Sequence, residues 1–149
     1  MNKKDIFKLI ESQLNLLKYP VFNTAKAGAY NFVANDKKHI LYHRHKNEMG
    51  SLMWHITKDS LSALKTNCDD DVIPCLAFSV FFNDPVTQKD TLFIYASTID
   101  KIYTELDNPY NSAIFYGEKT GNILFKYGSD FERHILKCCA DIFTTTFTF

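Results

Sequence analysis

The chain has 149 residues, 46% hydrophobic and 23% charged, which excludes disorder and supplies enough apolar material for one core. Lys plus Arg and Asp plus Glu each number 17, so the formal net charge is zero. That balance excludes a globally basic, phosphate-neutralising protein, leaves only local patches, and removes the repulsion that holds copies apart.

With 13 Phe and 8 Tyr against a single Trp, the composition favours strands, because planar rings pack well on a pleated surface. Lys3 to Lys18 reads as a helix, with Ile6, Ile10, Leu14 and Leu17 on one broad apolar face. Asn2 is placed to cap it, Asp5 sits near the positive end of its dipole, and Pro20 forces the exit. Strands are expected at Tyr30 to Ala34, Ile40 to Lys46 and Ser51 to Ile56, paired as an antiparallel meander, with Asn35-Asp36-Lys37-Lys38 as turn material.

Thr57 is the expected cap of a second helix, Lys58 to Lys65, with Leu61 and Leu64 inward. Val72 to Phe82 is the most apolar run and reads as a central strand buried on both faces; Thr91 to Ala96 is the next strand. Ser97, with Asp100 three residues later, reads as the start of a third helix carrying Ile99, Ile102 and Leu106. Ser112 to Tyr116 and Ile123 to Tyr127 flank a turn and read as a hairpin, and Ser129 opens a final helix through Ile142. Thr144 to Phe149 alternates like a strand and ends in an exposed-looking aromatic. The expectation is therefore an α/β (α+β) fold: one domain over residues 1–149, with a single mixed central sheet, flanking helices, and a C-terminal hairpin and helix.

The four cysteines, Cys68, Cys75, Cys138 and Cys139, have neither metal-ligand spacing nor the look of a disulfide framework. Without a signal-like segment or an apolar run long enough to span a bilayer, a cytoplasmic location without membrane contact is expected.

Three constellations bear on chemistry. On a strand, His43 and His45 share one face, and Arg44 and Lys46 the other. His39 lies upstream, and a third ligand such as His55 or Glu48 would complete a zinc site; the adjacent cations argue against one, and no metal site is expected. Asp69-Asp70-Asp71 would suit a divalent cation only if other ligands converged, and reads as a solvated loop. No nucleophile elbow, phosphate loop or dinucleotide fingerprint occurs.

The third constellation is an order of elements. A helix with Glu11 leads to Tyr19-Pro20-Val21-Phe22 and then Tyr30-Asn31-Phe32-Val33-Ala34, followed by a strand ending Arg44-His45-Lys46, a further strand and a helix. This resembles the PD-(D/E)xK nuclease superfamily, in particular its resolvase-like branch, over about Lys3 to Leu64. The resemblance implies Glu11 at the helix carboxylate position, Asn31 in place of the metal-binding aspartate, Arg44 in place of the second ligand and Lys46 as the lysine. Asparagine is a weak neutral ligand and arginine repels a cation, so these catalytic positions are degenerate.

The leading expectation is thus a catalytically degenerate nuclease-like domain that works by binding nucleic acid or an acidic protein surface. Lys37, Lys38, His43, Arg44 and Lys46 are the expected nucleic-acid contacts, His39 would extend the patch, and Tyr42 or Trp54 would stack on a base. One alternative is a small protein-interaction module, such as an inhibitor or accessory factor of a mobile element or defence system, or a homodimer joined through the Thr144 to Phe149 strand. The other is an active endonuclease, which alone would need magnesium or manganese; the degenerate domain needs no cofactor.

Overall fold

The computed structural model describes residues 1–25, 29–47, 52–55, 58–84, 87–106, 115–116, 122–125 and 140–149. Among these residues it is a mixed α+β fold: a six-stranded mixed sheet with three helices, and a smaller three-stranded sheet.

Helix α1 (Lys3–Leu16) begins as its sequence dictates, with Asn2 Oδ1 accepting from the Asp5 N–H at 2.9 Å. Its end is set before Pro20. Lys18 adopts a left-handed conformation (φ 60°), the Lys18 N–H donates to the Asn15 carbonyl at 3.0 Å, and the Tyr19 N–H reaches the Leu14 carbonyl at 2.9 Å. These paired bonds satisfy carbonyls that the last helical turn leaves open. Tyr19 then stacks on Phe32, with ring centroids 6.0 Å apart, and leads the chain into the sheet.

Strands β1 (Val21–Ala25), β2 (Ala29–Ala34) and β3 (Lys37–Asn47) form an antiparallel meander. The β2–β3 turn is only Asn35-Asp36, with φ of 53° and 61°, the paired left-handed geometry of a two-residue hairpin. Lys37 and Lys38 therefore belong to β3 rather than to the turn. The expected third member of the meander, Ser51 to Ile56, is not in it. Its described part, β4 (Leu52–His55), pairs antiparallel with β8 (Asn122–Phe125), which also pairs with β7 (Phe115–Tyr116). The expected hairpin is thus present and carries β4 as an added strand.

Helix α2 (Lys58–Thr66) lies between β3 and β5 (Val72–Asn83) in sequence, and those two strands pair in parallel from Lys38 opposite Val72 to Asn47 opposite Phe81. Such pairing needs a crossover, which the α2 segment supplies. β6 (Asp90–Thr98) and β9 (Phe143–Thr148) complete the order β1-β2-β3-β5-β6-β9. Helix α3 (Ile99–Leu106) follows β6, and its cap is Thr98 rather than Ser97: the Lys101 N–H donates to Thr98 Oγ1 at 3.3 Å. Ser97 stays in β6 and spends its hydroxyl on Asp141 Oδ1 at 2.7 Å. Asp141 also accepts from the Thr98 N–H at 2.7 Å, tying the start of α3 to the approach of β9. The expected final helix, with Cys138 and Cys139, lies outside the described residues except at Ala140, Asp141 and Ile142, which are not helical.

Side-chain alternation splits the core between the two faces of the large sheet. On one face, Ile6, Ile10 and Leu14 of α1 pack on Tyr30, Phe32, Leu41, Cys75, Ala77 and Ile94. On the other, Leu61 of α2 and Ile99 and Ile102 of α3 pack on Leu76, Phe78, Val80, Phe93 and Tyr95. β5 and β6 are covered from both sides, as the long apolar run predicts. Among the described residues no helix is long and apolar enough to cross a membrane.

Candidate functional site

The parallel register of β3 on β5 sets His43 opposite Ala77 and His45 opposite Ser79, on the α1 side of the sheet. Both imidazoles converge on one hydroxyl: His43 Nε2 and His45 Nδ1 each lie 2.7 Å from Ser79 Oγ. His45 Nε2 is 2.8 Å from Asn47 Oδ1, and Asn47 Nδ2 donates to the Met1 carbonyl at 3.3 Å.

The far end of this chain fixes its direction. The Met1 carbonyl can only accept, so Asn47 presents its own oxygen to His45, and His45 Nε2 carries the proton. In the neutral ring, Nδ1 is then bare and accepts the Ser79 hydroxyl proton. Ser79 Oγ in turn accepts from His43 Nε2–H. One directed line of hydrogen bonds thus runs from β3 to β5, back to β3, and on to the chain just before α1. The line carries no formal charge.

Electrostatics favour that neutral form. Burial, and then His45 and Lys3, lower the His43 pKa to about 4; burial also lowers that of His45, against the support of Asn47. A serine beside an unprotonated imidazole invites a nucleophilic reading, but Ser79 is 0% exposed. Its hydroxyl cannot meet a substrate, so the arrangement is a polar strut inside the fold. The two rings are 6.2 Å apart. Among the described residues, no three His, Cys, Asp or Glu side chains gather as a metal site. Glu48 and the His55 side chain lie outside those residues.

The other side of β3 is different. Alternation turns Lys38, Ile40, Tyr42 and Arg44 away from α1, and Lys38 and Arg44 are both exposed. Six residues of extended chain separate them, roughly 20 Å at about 3.3 Å per residue. Lys37 is also exposed, at the strand's start; the Lys46 side chain lies outside the described residues. At the sheet edge, the β1–β2 register steps from Val21 opposite Phe32 to Asn23 opposite Asn31, leaving Phe22 as the extra residue of a bulge. Phe22 is 55% exposed.

Several expected contacts are engaged elsewhere. His43 is committed to Ser79 on the opposite face from Arg44. His39 is buried, stacked on Phe32 with ring centroids 4.9 Å apart, and bonded through Nδ1 to the Lys37 carbonyl at 2.9 Å, so it does not extend a surface patch. Tyr42 packs against the α2–α3 core, and its hydroxyl lies 3.6 Å from Cys68 Sγ. Burial, and then Cys68, push its phenol pKa up to about 12. The Trp54 side chain lies outside the described residues.

Of the four nuclease-like positions, Glu11 is set apart from Asn31 and Arg44, and the Lys46 side chain lies outside the described residues. Glu11 rides on α1, close enough to raise the pKa of buried Tyr30 further after desolvation has done most of that work. Asn31 and Arg44 occupy strand positions that alternate to the far side of the sheet. Asp69 and Asp70 line an open pocket of about 270 Å³ with Lys65, Cys68 and Asp100, where the Lys65 ammonium pairs with Asp100 at 2.6 Å. The sequence reading missed Ser79 and Asn47. A lone serine in an otherwise apolar strand is itself a signal, since a buried hydroxyl demands partners.

No protein-family model, curated protein or solved structure matches this chain.

Proposed function

We propose that this chain is a cytoplasmic nucleic-acid-binding module with a nuclease-like, catalytically degenerate core. The observation that carries the reading is the exposure of Lys38 and Arg44 on one side of β3, flanking Tyr42, while the other side of the strand holds Leu41 and the Ser79 strut. These two cations, roughly 20 Å apart, span a little over half of a duplex turn of about 34 Å, so they can meet separate phosphates of one backbone. Phe22, lifted by its bulge, offers a stacking surface in place of Tyr42. The sheet's separation of Glu11 from Asn31 and Arg44 supports binding over metal-dependent cleavage, and the free thiols of Cys68 and Cys75 suit a reducing compartment.

The test is fluorescence anisotropy with labelled single-stranded, duplex and branched DNA at two salt concentrations, in manganese. Binding that weakens with salt, and falls at least tenfold in the Lys38→Glu/Arg44→Glu double variant, is expected. Unchanged affinity after charge reversal, or no binding at low salt, sinks the reading. Shortened DNA products would establish the endonuclease instead.

A further inference from the structure

We propose that β9 is the seam of a homodimer, pairing antiparallel with β9 of a second copy. The inference stands apart from the DNA reading, since it uses the opposite edge of the sheet. Among the described residues β9 pairs with β6 alone, and Thr146, Thr148 and Phe149 on it and just beyond it are exposed.

The two edges of the sheet are treated differently. β1 is preceded by Pro20 and broken by the Phe22 bulge, both devices that discourage edge pairing. β9 reads Phe-Thr-Thr-Thr-Phe-Thr, with no charge, proline or bulge, and residues of high strand propensity throughout.

Its backbone geometry suits self-pairing. The Phe149 N–H donates to the Asp90 carbonyl at 2.9 Å, so alternation sends the N–H and C=O groups of Thr144, Thr146 and Thr148 outward. A two-fold axis at Thr146 sets Thr146 opposite Thr146, and Thr144 opposite Thr148, of the second copy. All of these are hydrogen-bonded positions, and Thr145 then faces Phe147 of the other copy, a favourable cross-strand pair.

The occupant is a second copy because an uncharged edge neither repels itself nor carries charge that would select a different partner, and the whole chain is neutral. An open groove of about 420 Å³ beside the edge, lined by Met1, Asp5, Lys8, Leu9, Ser12 and the 59% exposed Phe149, gives side chains of the second copy a seat. A ladder this short buries less than the roughly 1,200 Å² of a stable interface, so the dimer is expected to dissociate on dilution.

Sedimentation velocity across a dilution series of the full chain tests this. The expected result is a shift from the 17.2 kDa monomer toward twice that mass as concentration rises. Thr146→Pro removes an outward N–H while leaving the bonds to β6, and should weaken the dimer at least tenfold. Thr146→Lys keeps the backbone and places like charges together at the axis, so it should also stay monomeric. Mixing it with Thr146→Glu should restore the doubled mass, which a misfolded variant could not do. A monomer at every concentration, a dimer indifferent to both substitutions, or no recovery on mixing the charged variants would overturn the proposal.

Discussion

Replacing His43 by phenylalanine should flatten the acid side of the stability profile. In the native protein the His43 ring is half-buried and holds its proton only below about pH 4, whereas in the unfolded chain it titrates near 6.5. Between those values the unfolded state binds a proton that the native state refuses, so native stability falls as pH falls. Above pH 6.5 both states are neutral at this ring and it contributes no slope. Each pH unit inside the window is worth about 1.4 kcal/mol, so the loss is about 2 kcal/mol at pH 5 and approaches about 3 kcal/mol at pH 4. Set against a total stability of about 5–15 kcal/mol, that is easily measured. Urea unfolding at pH 7.5, 6.0 and 5.0, with wild type and His43→Phe side by side, isolates the ring from all other titrating groups. His45 shifts in the same direction and remains in the variant, so some slope should persist. Parallel profiles for the two proteins would refute the neutral assignment of His43, and with it the directed line of bonds through Ser79.

Two further substitutions test the frame that holds this network. Leu14→Ala empties a fully buried position between α1 and the sheet and should cost about 2–5 kcal/mol, read as a lower urea midpoint; a cost well under that range would mean that α1 is not docked as described. Lys18→Gly relieves a left-handed residue at φ 60° and should raise stability by about 0.5–1 kcal/mol, and a fall in melting temperature would count against the capping geometry.

What the sequence disclosed, and what it hid, divides by the range of the forces involved. Helix α1 was legible because its apolar spacing and cap are local, and β5 because a long apolar run admits few other fates. Strand β9 was legible from alternation alone. β1 was not, because it is short, follows a proline and contains a bulge that breaks the two-residue period. The departure of β4 to a second sheet rests on pairing with β8, far along the chain, which no local pattern encodes. The histidine pair was visible, but its purpose was not: Ser79 lies 34 residues beyond His45, and only the parallel β3–β5 register joins them. The surface reading of His39 failed for a similar reason, since Phe32 covers it from the neighbouring strand.

That register also shows why the alternation His43-Arg44-His45-Lys46 is more than a solvated run. Slipping β3 by one residue against β5 would turn every side chain of the strand to the other face. Arg44 would then enter the layer beneath α1, where a guanidinium without a partner costs several kcal/mol, and Ser79 would lose both imidazoles. Neutral histidine tolerates the interior through its bonds to Ser79, while arginine does not, so the alternating charge pattern itself selects the observed pairing. The exposed cations Lys38 and Arg44 lie on the necessary reverse of the face that bonds Ser79. It follows that the two faces can be separated experimentally: His43→Phe should alter the pH profile of stability and leave binding by Lys38 and Arg44 intact, whereas reversing those two charges should do the opposite.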